Sequence, residues 1–202
     1  KLKYQFIDST FIINQFGIDR VGRNKYMKNK NVSKLSTITD TNGIPISVLL
    51  DNGATHDAKL FIETYDGIFI TKEQKDTANK KKCNRYKQYF MADMGYDSKK
   101  IRDKLENEGY TVIIPHNLRN TKNKKNIKKL TDKELKIYGK RIKIENSYAE
   151  INFGLGSLKR AYSWMKKYRR LILRYDKYAI QYLSFVYLSL INIIFNKLNI
   201  KK

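Results

Sequence analysis

Short apolar segments bounded by turn residues recur along the first half of the chain. The run "KLKYQFIDSTFII" at residues 1–13 predicts a strand that passes through Asp8. Two β-rich runs follow within residues 33–54, and the Asn-Gly dipeptide between them indicates an antiparallel hairpin. The runs "YFMAD" at 89–93 and "YTVIIP" at 110–115 predict two more strands.

Segments with helical spacing lie between these strands. Residues 55–68 begin with a capping residue and continue with apolar residues at helical intervals. Residues 98–109 predict a second helix, with Asp97 as its N-terminal cap and Gly109 as its C-terminal glycine. Strands that alternate with helices in this way, without an internal repeat, predict a mixed α/β fold.

Two longer helices are predicted in the second half. Thr131 followed three residues later by Glu134 forms a capping box, and this helix should run towards Gly154. The segment from Tyr178 to Phe195 carries no charge and reaches the lower length limit for a membrane span. Its Ser, Asn, Gln and Tyr residues favour a buried C-terminal helix instead, so we expect no membrane association.

The charge balance of the 202-residue chain indicates a polyanionic partner. Lys and Arg number 42 against 19 Asp and Glu, which gives a net charge of +23 and a pI near 9.9. Such a surplus usually matches nucleic acid, although a solvated basic surface is the alternative. The single cysteine, Cys83, excludes an internal disulfide and fits a reducing, cytoplasmic location. We interpret it as a plain surface thiol.

Three carboxylates are candidate metal ligands. Asp8 and Asp93 each lie in or directly after an apolar strand, where carboxylates of neighbouring strands can converge on a hard divalent cation. A turn residue is the alternative interpretation of Asp93. Glu145 shares one helical stripe with Tyr138 and Arg141. A surface ion pair between Arg141 and Glu145 is the alternative there.

The order of these motifs resembles the DDE transposases of bacterial insertion sequences over about residues 4–180. The matching segments are, in order, "FIDST", "GRN", "K-x-S" ahead of "DTNGIPISV", "ATHDAKLF", "ADMGYDS", "Y-x2-R-x3-E" and "RRLILRYDKY". The resemblance implies a ribonuclease H-like mixed sheet flanked by helices. It divides the chain into a catalytic domain at 1–177, with a mobile basic loop at 119–130, and a C-terminal helix at 178–202 packed on that domain or on a partner.

The resemblance also implies a chemistry. Asp8, Asp93 and Glu145 would bind two Mg²⁺ ions per site, with Mn²⁺ as a possible substitute, and would catalyse DNA cleavage and strand transfer at element ends. Tyr138 and Arg141 would be the family's helix partners of the glutamate. The implied partner is double-stranded DNA, bound by a homo-oligomer. At the helix position where the family has a lysine, this chain has Asn152.

Basic residues near these motifs are candidate phosphate contacts. They are Arg23, Lys34, Lys159, Arg160, Arg169 and Arg170. The last four lie in the segment 157–178, where Tyr162, Trp164, Tyr168 and Tyr175 could stack on unpaired bases. A helix with an aromatic face in the core and a basic face in water is the alternative for this segment.

Two other functions remain open at this point. A ribonuclease H-like nuclease that only hydrolyses DNA would share the fold and the carboxylates. A basic DNA-binding transposon remnant without a working site would share the charge. Strand transfer separates the first alternative from a transposase, and metal-dependent cleavage separates the second.

Overall fold

The structure is a computed structural model that describes residues 3–41, 43–68, 87–117, 130–146, 162, 165 and 167–199, with side chains except at 140–146 and 197–199. Seven strands lie in these residues: β1 (Tyr4–Asn14), β2 (Gly22–Asn24), β3 (Lys30–Thr39), β4 (Pro45–Asn52), β5 (Gln88–Met91), β6 (Tyr110–Ile113) and β7 (Leu173–Arg174). The α-helices whose bounds lie within these residues are α1 (Asp57–Asp66), α2 (Lys99–Asn107), α3 (Asp132–Asn146) and α4 (Ala179–Asn199).

All seven strands form one mixed sheet with β1 at its centre. The order is β2-β3-β1-β5-β6, with β4 also paired to β3 and β7 also paired to β1. β3 and β4 form the predicted antiparallel hairpin, and β3 runs antiparallel to β1. β5 and β6 run parallel to β1 and to each other. This mixed sheet with its flanking helices confirms the expected α/β class.

One face of the sheet is covered by α1 and α2. Alternation along β1 places Ile7 on this face. The cluster beneath the two helices is apolar and rich in aromatic rings: Ile7, Ile38, Ile46, Phe61, Tyr65, Phe90, Ala92, Tyr96, Ile101, Leu105 and Ile114. Ring pairs such as Phe61 against Phe90, at 5.6 Å between centroids, add directional packing to the area that is buried.

The opposite face carries α3 and α4. Phe6, Met91 and Ile113 form a small cluster, against which Ile137 and Tyr138 of α3 pack. α4 lies over the other half of this face. Its residues Tyr182, Val186, Leu190 and Ile193 join Ile12 of β1, Leu35 of β3 and Leu50 of β4 in one cluster. The face therefore has two separate helix-covered areas, one at each end of β1.

Several local predictions are confirmed by the hydrogen bonds. The Thr131 N–H donates to Glu134 Oε2 at 2.8 Å, and the Glu134 N–H donates back to Thr131 Oγ1 at 3.4 Å, which is a capping box. His56 caps α1 by accepting from the Ala58 N–H. Gly109 follows α2 with φ of 84°, the left-handed conformation that a C-terminal glycine supplies.

Other local predictions are wrong or fall outside the described residues. Ser98, not Asp97, is the N-cap residue of α2, because the Asp97 carboxylate instead accepts from the Arg102 guanidinium and the Asn117 N–H. The short strand β2 was not predicted from the sequence. A 3₁₀ helix at Arg169–Leu171 and strand β7 interrupt the segment 157–178. The predicted basic loop at 119–130 lies outside the described residues except for Leu130.

α4 is the predicted long apolar helix, and it contacts the sheet. Its window Ala179–Asn196 has a mean hydropathy of 1.5, so this described helix is long and apolar enough to cross a membrane. A third of that window is buried in the protein. The hydroxyl of Tyr182 donates to the carbonyl of Leu171 at 2.9 Å, which connects α4 to the residues just before β7. The domain boundary at 177 stays a prediction.

Candidate active site

Asp8 and Asp93 belong to neighbouring parallel strands. β1 and β5 pair in the register Tyr4 to Tyr89 and Phe6 to Met91. Continuing that register by two residues places Asp8 opposite Asp93, on strands that are about 4.8 Å apart. The alternation of β1 and β5 places both carboxylates on the face occupied by Phe6 and Met91, which α3 covers.

Asp8 is anchored at both its side chain and its backbone. Its Oδ1 accepts the N–H of Ser9 at 2.8 Å, which restricts the carboxylate rotamer. Its carbonyl accepts the hydroxyl of Tyr162 at 2.8 Å, and this hydroxyl also lies 3.2 Å from the carbonyl of Leu35. Burial, followed by the negative charge of Asp8, raises the pKa of Tyr162 well above its usual value. Tyr162 therefore stays a neutral donor to β1, and it is a core residue that is not available to stack on bases.

Asp93 is a turn residue and a candidate ligand at once. It is the N-cap of a 3₁₀ helix at Met94–Tyr96, and its Oδ1 accepts the Gly95 N–H at 2.8 Å. A Cβ at Gly95 would lie 2.9 Å from this Oδ1, so glycine allows the backbone to approach the carboxylate. The two interpretations of Asp93 made from sequence are therefore compatible, because capping uses one carboxylate oxygen.

The hydroxyl of Tyr96 lies among the site carboxylates. Tyr96 is 1% exposed, and its hydroxyl has no hydrogen-bond partner among the described residues. Burial raises the pKa of Tyr96 well above its usual value, and the negative charges of Asp57, Asp8 and Asp93 raise it further. All three carboxylates act on this one hydroxyl, so they lie in the same region of the molecule.

The third predicted ligand lies on α3. The backbone of Glu145 is in this helix, whereas its side chain and that of Arg141 are outside the described residues. Tyr138 packs against the cluster of Phe6 and Met91, so α3 covers the face that carries Asp8. Glu145 follows Tyr138 by about two helical turns on the same stripe.

The described side chains fit a hard cation in part. Among them, no group of three or more His, Cys, Asp or Glu residues is close enough together to hold a metal ion. Asp8 and Asp93 offer two oxygen ligands from adjacent strands, as Mg²⁺ and Mn²⁺ prefer. The partnerless hydroxyl of Tyr96 is a further polar atom beside them. The fit to a two-ion site therefore depends on Glu145.

The predicted phosphate contacts divide into exposed and buried residues. Arg23 on β2 and Arg169 are exposed, and the Arg170 side chain is 53% exposed. Arg170 pairs with Asp176 and lies over the Phe185 ring at 4.0 Å. Lys34 differs, since it is 4% exposed. Lys159 and Arg160 lie outside the described residues.

Lys34 has partners other than the expected phosphate. Its Nζ donates to the carbonyl of Thr55 at 2.7 Å and to Asp57 Oδ1 at 3.2 Å. It also lies 5.0 Å from the centroid of the Phe11 ring. With its ammonium turned inward in this way, Lys34 is not exposed for a contact with a DNA phosphate.

Sequence reasoning missed Asp57 as a site residue. It is the first residue of α1, where the helix dipole favours a carboxylate. Its Oδ1 accepts from Ser9 Oγ at 2.7 Å, and its Oδ2 would lie 3.6 Å from a Cβ on Gly95. The segment "ATHDAKLF" was part of the family resemblance, but a helix-starting aspartate is common and carried no sign of its neighbours.

The model of the "Transposase DDE domain" family matches residues 5–188, which is most of the chain. The chain belongs to the transposase DDE domain family. No curated protein matches this transposase domain.

Three solved structures are similar to the transposase domain, with low sequence identities and low TM-scores. The catalytic domain of Mos1 mariner transposase aligns at 15% identity and a TM-score of 0.37, over 94% of this chain and 76% of that one. The Mos1 paired-end complex with Mn aligns at 13% identity and a TM-score of 0.37, over 94% and 52%. The piggyBac synaptic complex with hairpin DNA aligns at 13% identity and a TM-score of 0.40 over 62% of this chain, which spans 24% of the piggyBac chain.

Proposed function

We propose that this transposase domain cleaves DNA at the ends of a transposable element and transfers the cut strand to a target duplex. The observation that supports it is the parallel register between β1 and β5, which pairs Phe6 with Met91 and, if continued by two residues, would bring Asp8 beside Asp93 on the face covered by α3. The match to the transposase DDE domain family supports the proposal that these two aspartates and Glu145 of α3 form one acidic set.

Asp8, Asp93 and Glu145 would hold two divalent cations, Mg²⁺ or Mn²⁺. When bound, such ions activate an oxygen nucleophile and stabilise the leaving oxygen of a phosphodiester. The chain's own contribution is to fix the ligands. Ser9 holds the Asp8 carboxylate, the Gly95 N–H holds that of Asp93, and Tyr162 holds the β1 backbone at the Asp8 carbonyl.

The surplus of positive charge supports double-stranded DNA as the partner. A net charge of +23 favours association with a polyanion, and the affinity should fall steeply with salt. Arg23, Arg169 and Arg170 are exposed cations that could neutralise phosphates. Tyr168 and Tyr175 of the same segment are exposed. Tyr138, Arg141, Lys159 and Arg160 complete the proposed DNA contacts, and we propose a homo-oligomer on paired ends.

The test uses labelled DNA duplexes, each carrying one of the two element ends that flank the coding sequence. We expect Mg²⁺-dependent cleavage and strand transfer by the wild-type chain and loss of both in Asp93→Asn. Asp66→Asn is the matched control, because Asp66 is an exposed carboxylate at the far end of α1. This control should retain both activities.

Two results would contradict the proposal. Cleavage without strand transfer would indicate a hydrolytic nuclease with the same carboxylates. DNA binding without cleavage, equal in wild type and Asp93→Asn, would indicate a basic DNA-binding remnant.

A further inference from the structure

A chain of short contacts links Asp8 to a carboxylate outside the predicted acidic set. The Ser9 N–H donates to Asp8 Oδ1 at 2.8 Å, and the hydroxyl of the same serine donates to Asp57 Oδ1 at 2.7 Å. Lys34 Nζ donates to that Asp57 oxygen at 3.2 Å. Ser9 is therefore held at both its donors, one by the candidate ligand and one by Asp57.

Asp57 is also next to the turn that carries Asp93. A Cβ at Gly95 would lie 2.9 Å from Asp93 Oδ1 and 3.6 Å from Asp57 Oδ2. The two carboxylates thus flank the same glycine backbone. Tyr96, the next residue, is 1% exposed and has a hydroxyl without a partner among the described residues. Asp57 therefore lies beside a residue that contacts each predicted strand ligand, namely Ser9 for Asp8 and Gly95 for Asp93.

A third carboxylate at this place is unfavourable unless its charge is offset. Asp57 is near Asp8 and Asp93, and like charges in a partly buried site repel each other. Lys34 supplies the opposite charge from a side chain that is 6% exposed, and Asp57 itself is 29% exposed. The pair costs desolvation and gives little stability by itself, so a role in the site explains it better than a role in the fold.

We propose that Asp57 is a positioning residue that fixes the metal ligands, acting on Asp8 through Ser9 and lying against the Asp93 turn at Gly95. Lys34 compensates the charge of Asp57 and holds its carboxylate in place. The inference rests on the proposed function, since it assumes that Asp8 and Asp93 bind cations. Residues that hydrogen-bond to a metal ligand, and not to the metal itself, orient that ligand and tune the affinity of the site for the metal.

Binding of Mn²⁺ alone to the purified chain tests this inference without a catalytic assay. The electron paramagnetic resonance signal of free Mn²⁺ gives a dissociation constant. We expect Ser9→Ala and Asp57→Asn each to weaken Mn²⁺ binding by about 10-fold, the lower end of the effect of such partners. Ser9→Thr keeps a hydroxyl and should restore the wild-type constant.

Matched controls separate positioning from folding. Asp66→Asn breaks the Asp66 contact with Lys104 at the other end of the same helix and should leave Mn²⁺ binding unchanged. Ser184→Ala removes an exposed hydroxyl that bonds to the Ile180 carbonyl, and it should also have no effect. Thermal unfolding in EDTA should show Ser9→Ala close to wild type, because positioning is not needed for folding.

The outcomes distinguish this inference from the proposed function. If the wild-type chain binds Mn²⁺ and Asp8→Ala does not, the cation site stands. Unchanged Mn²⁺ affinity in Ser9→Ala and Asp57→Asn would then overturn the positioning role alone. If Asp8→Ala binds Mn²⁺ as well as wild type does, the cation site itself is wrong and the inference falls with it.

The double variant Ser9→Ala/Asp57→Asn adds a coupling test. If Asp57 acts through Ser9, the combined loss of Mn²⁺ affinity should be about the same as that of either single variant, that is about 10-fold. Losses that multiply to about 100-fold would mean that the two residues act independently, which would contradict the proposed link.

Discussion

Two buried cations lie on opposite faces of the sheet and have very different surroundings. Arg174 of β7 is 0% exposed, and each of its N–H groups has an acceptor. These acceptors are the Asp176 carbonyl, the Asp19 carbonyl, Ser33 Oγ, Asp19 Oδ1 and the Lys177 carbonyl. Lys34 of β3 is 4% exposed and donates to the Thr55 carbonyl and to Asp57.

The difference follows from the geometry of the two side chains and from their partners. A planar guanidinium with five donors can join several chain segments at once, whereas an ammonium is a compact point charge. Arg174 joins the loop after β1 to the start of α4, where Asp19 Oδ1 also accepts the Ala179 N–H at 2.7 Å. Arg174 is thus placed to hold the fold together, and Lys34 is placed to balance a carboxylate beside the candidate active site.

Replacement of Arg174 should have the largest effect on stability. Arg174→Met removes five hydrogen bonds, leaves Asp19 without its charged partner and deprives the carbonyls of Asp19, Asp176 and Lys177 of the guanidinium donor. We expect a loss of about 3 kcal/mol in the free energy of unfolding, the low end for a broken buried pair, because water can still reach Asp19. Urea unfolding of Arg174→Met measures this. Arg169→Met, at an exposed arginine, should change stability by less than about 0.5 kcal/mol.

Replacement of Lys34 should cost less and would sharpen the contrast. Lys34→Met keeps the aliphatic stem against Phe11 and removes the ammonium with its bonds to the Thr55 carbonyl and Asp57, but Asp57 is 29% exposed and can be hydrated. We expect a loss of about 1–2 kcal/mol, measured in the same urea experiment. A loss as large as that of Arg174→Met would show that Lys34 is as important for folding as Arg174, which would contradict the different roles assigned to the two cations.

The half-buried ion pair of Arg102 and Asp97 should make the stability of the protein depend on pH. Burial would raise the pKa of Asp97, but the Asn117 N–H and Arg102 outweigh burial and hold the pKa below its usual value of 3.8. A lowered pKa contributes stability above the unfolded value, and this stability is lost as the pH falls through the folded one. The Tm difference between wild type and Asp97→Asn should therefore be largest near neutral pH and shrink below pH 3.8.

The opposite pH trend would contradict this assignment. A Tm difference that grows on acidification would mean that protonated Asp97 is the form favoured in the fold. Asp66→Asn serves as the control, because the Asp66 side chain is 58% exposed and its variant should show little dependence on pH in this range.

The surface pair of Lys104 and Asp66 should have the smallest effect. Its atoms are 2.6 Å apart, but the side chains are 26% and 58% exposed. Exposed ion pairs contribute about 0–1 kcal/mol, and added salt weakens them. Lys104→Ala should accordingly shift the urea midpoint slightly at low salt and not at high salt. A shift that persists in high salt would point instead to packing of the lysine stem on Tyr65, which lies 5.3 Å from its Nζ.

Much of the fold could be predicted because it depends on local patterns. The hairpin of β3 and β4, the capping box of α3 and the C-terminal glycine of α2 each involve residues that are close in the sequence. Asp8 and Asp93 could be chosen for the same reason, since each lies in or just after an apolar strand. Their strands then pair in parallel, and the shared register brings the two aspartates together.

The roles of other residues depended on contacts between distant parts of the chain. Ser9 and Asp57 are 48 residues apart, and Tyr162 reaches the Asp8 carbonyl across 154 residues. Local spacing could not show that Tyr162 would be buried in the core, or that Lys34 would turn inward. Both facts follow from how α1 packs on one face of the sheet and how Tyr162 and Met165 pack on the other, and burial is a property of that packing.

The sequence by itself determined the α/β class, the strand and helix order, the strong positive charge and the two strand aspartates, because hydrophobic periodicity and composition are written along the chain. Only the tertiary structure decided which charged residues are neighbours. It joined Asp57 to Ser9 and Lys34, and it joined Arg174 to Asp19 across 155 residues. Electrostatic interactions depend on distance and burial in the folded chain, and no local pattern encodes either.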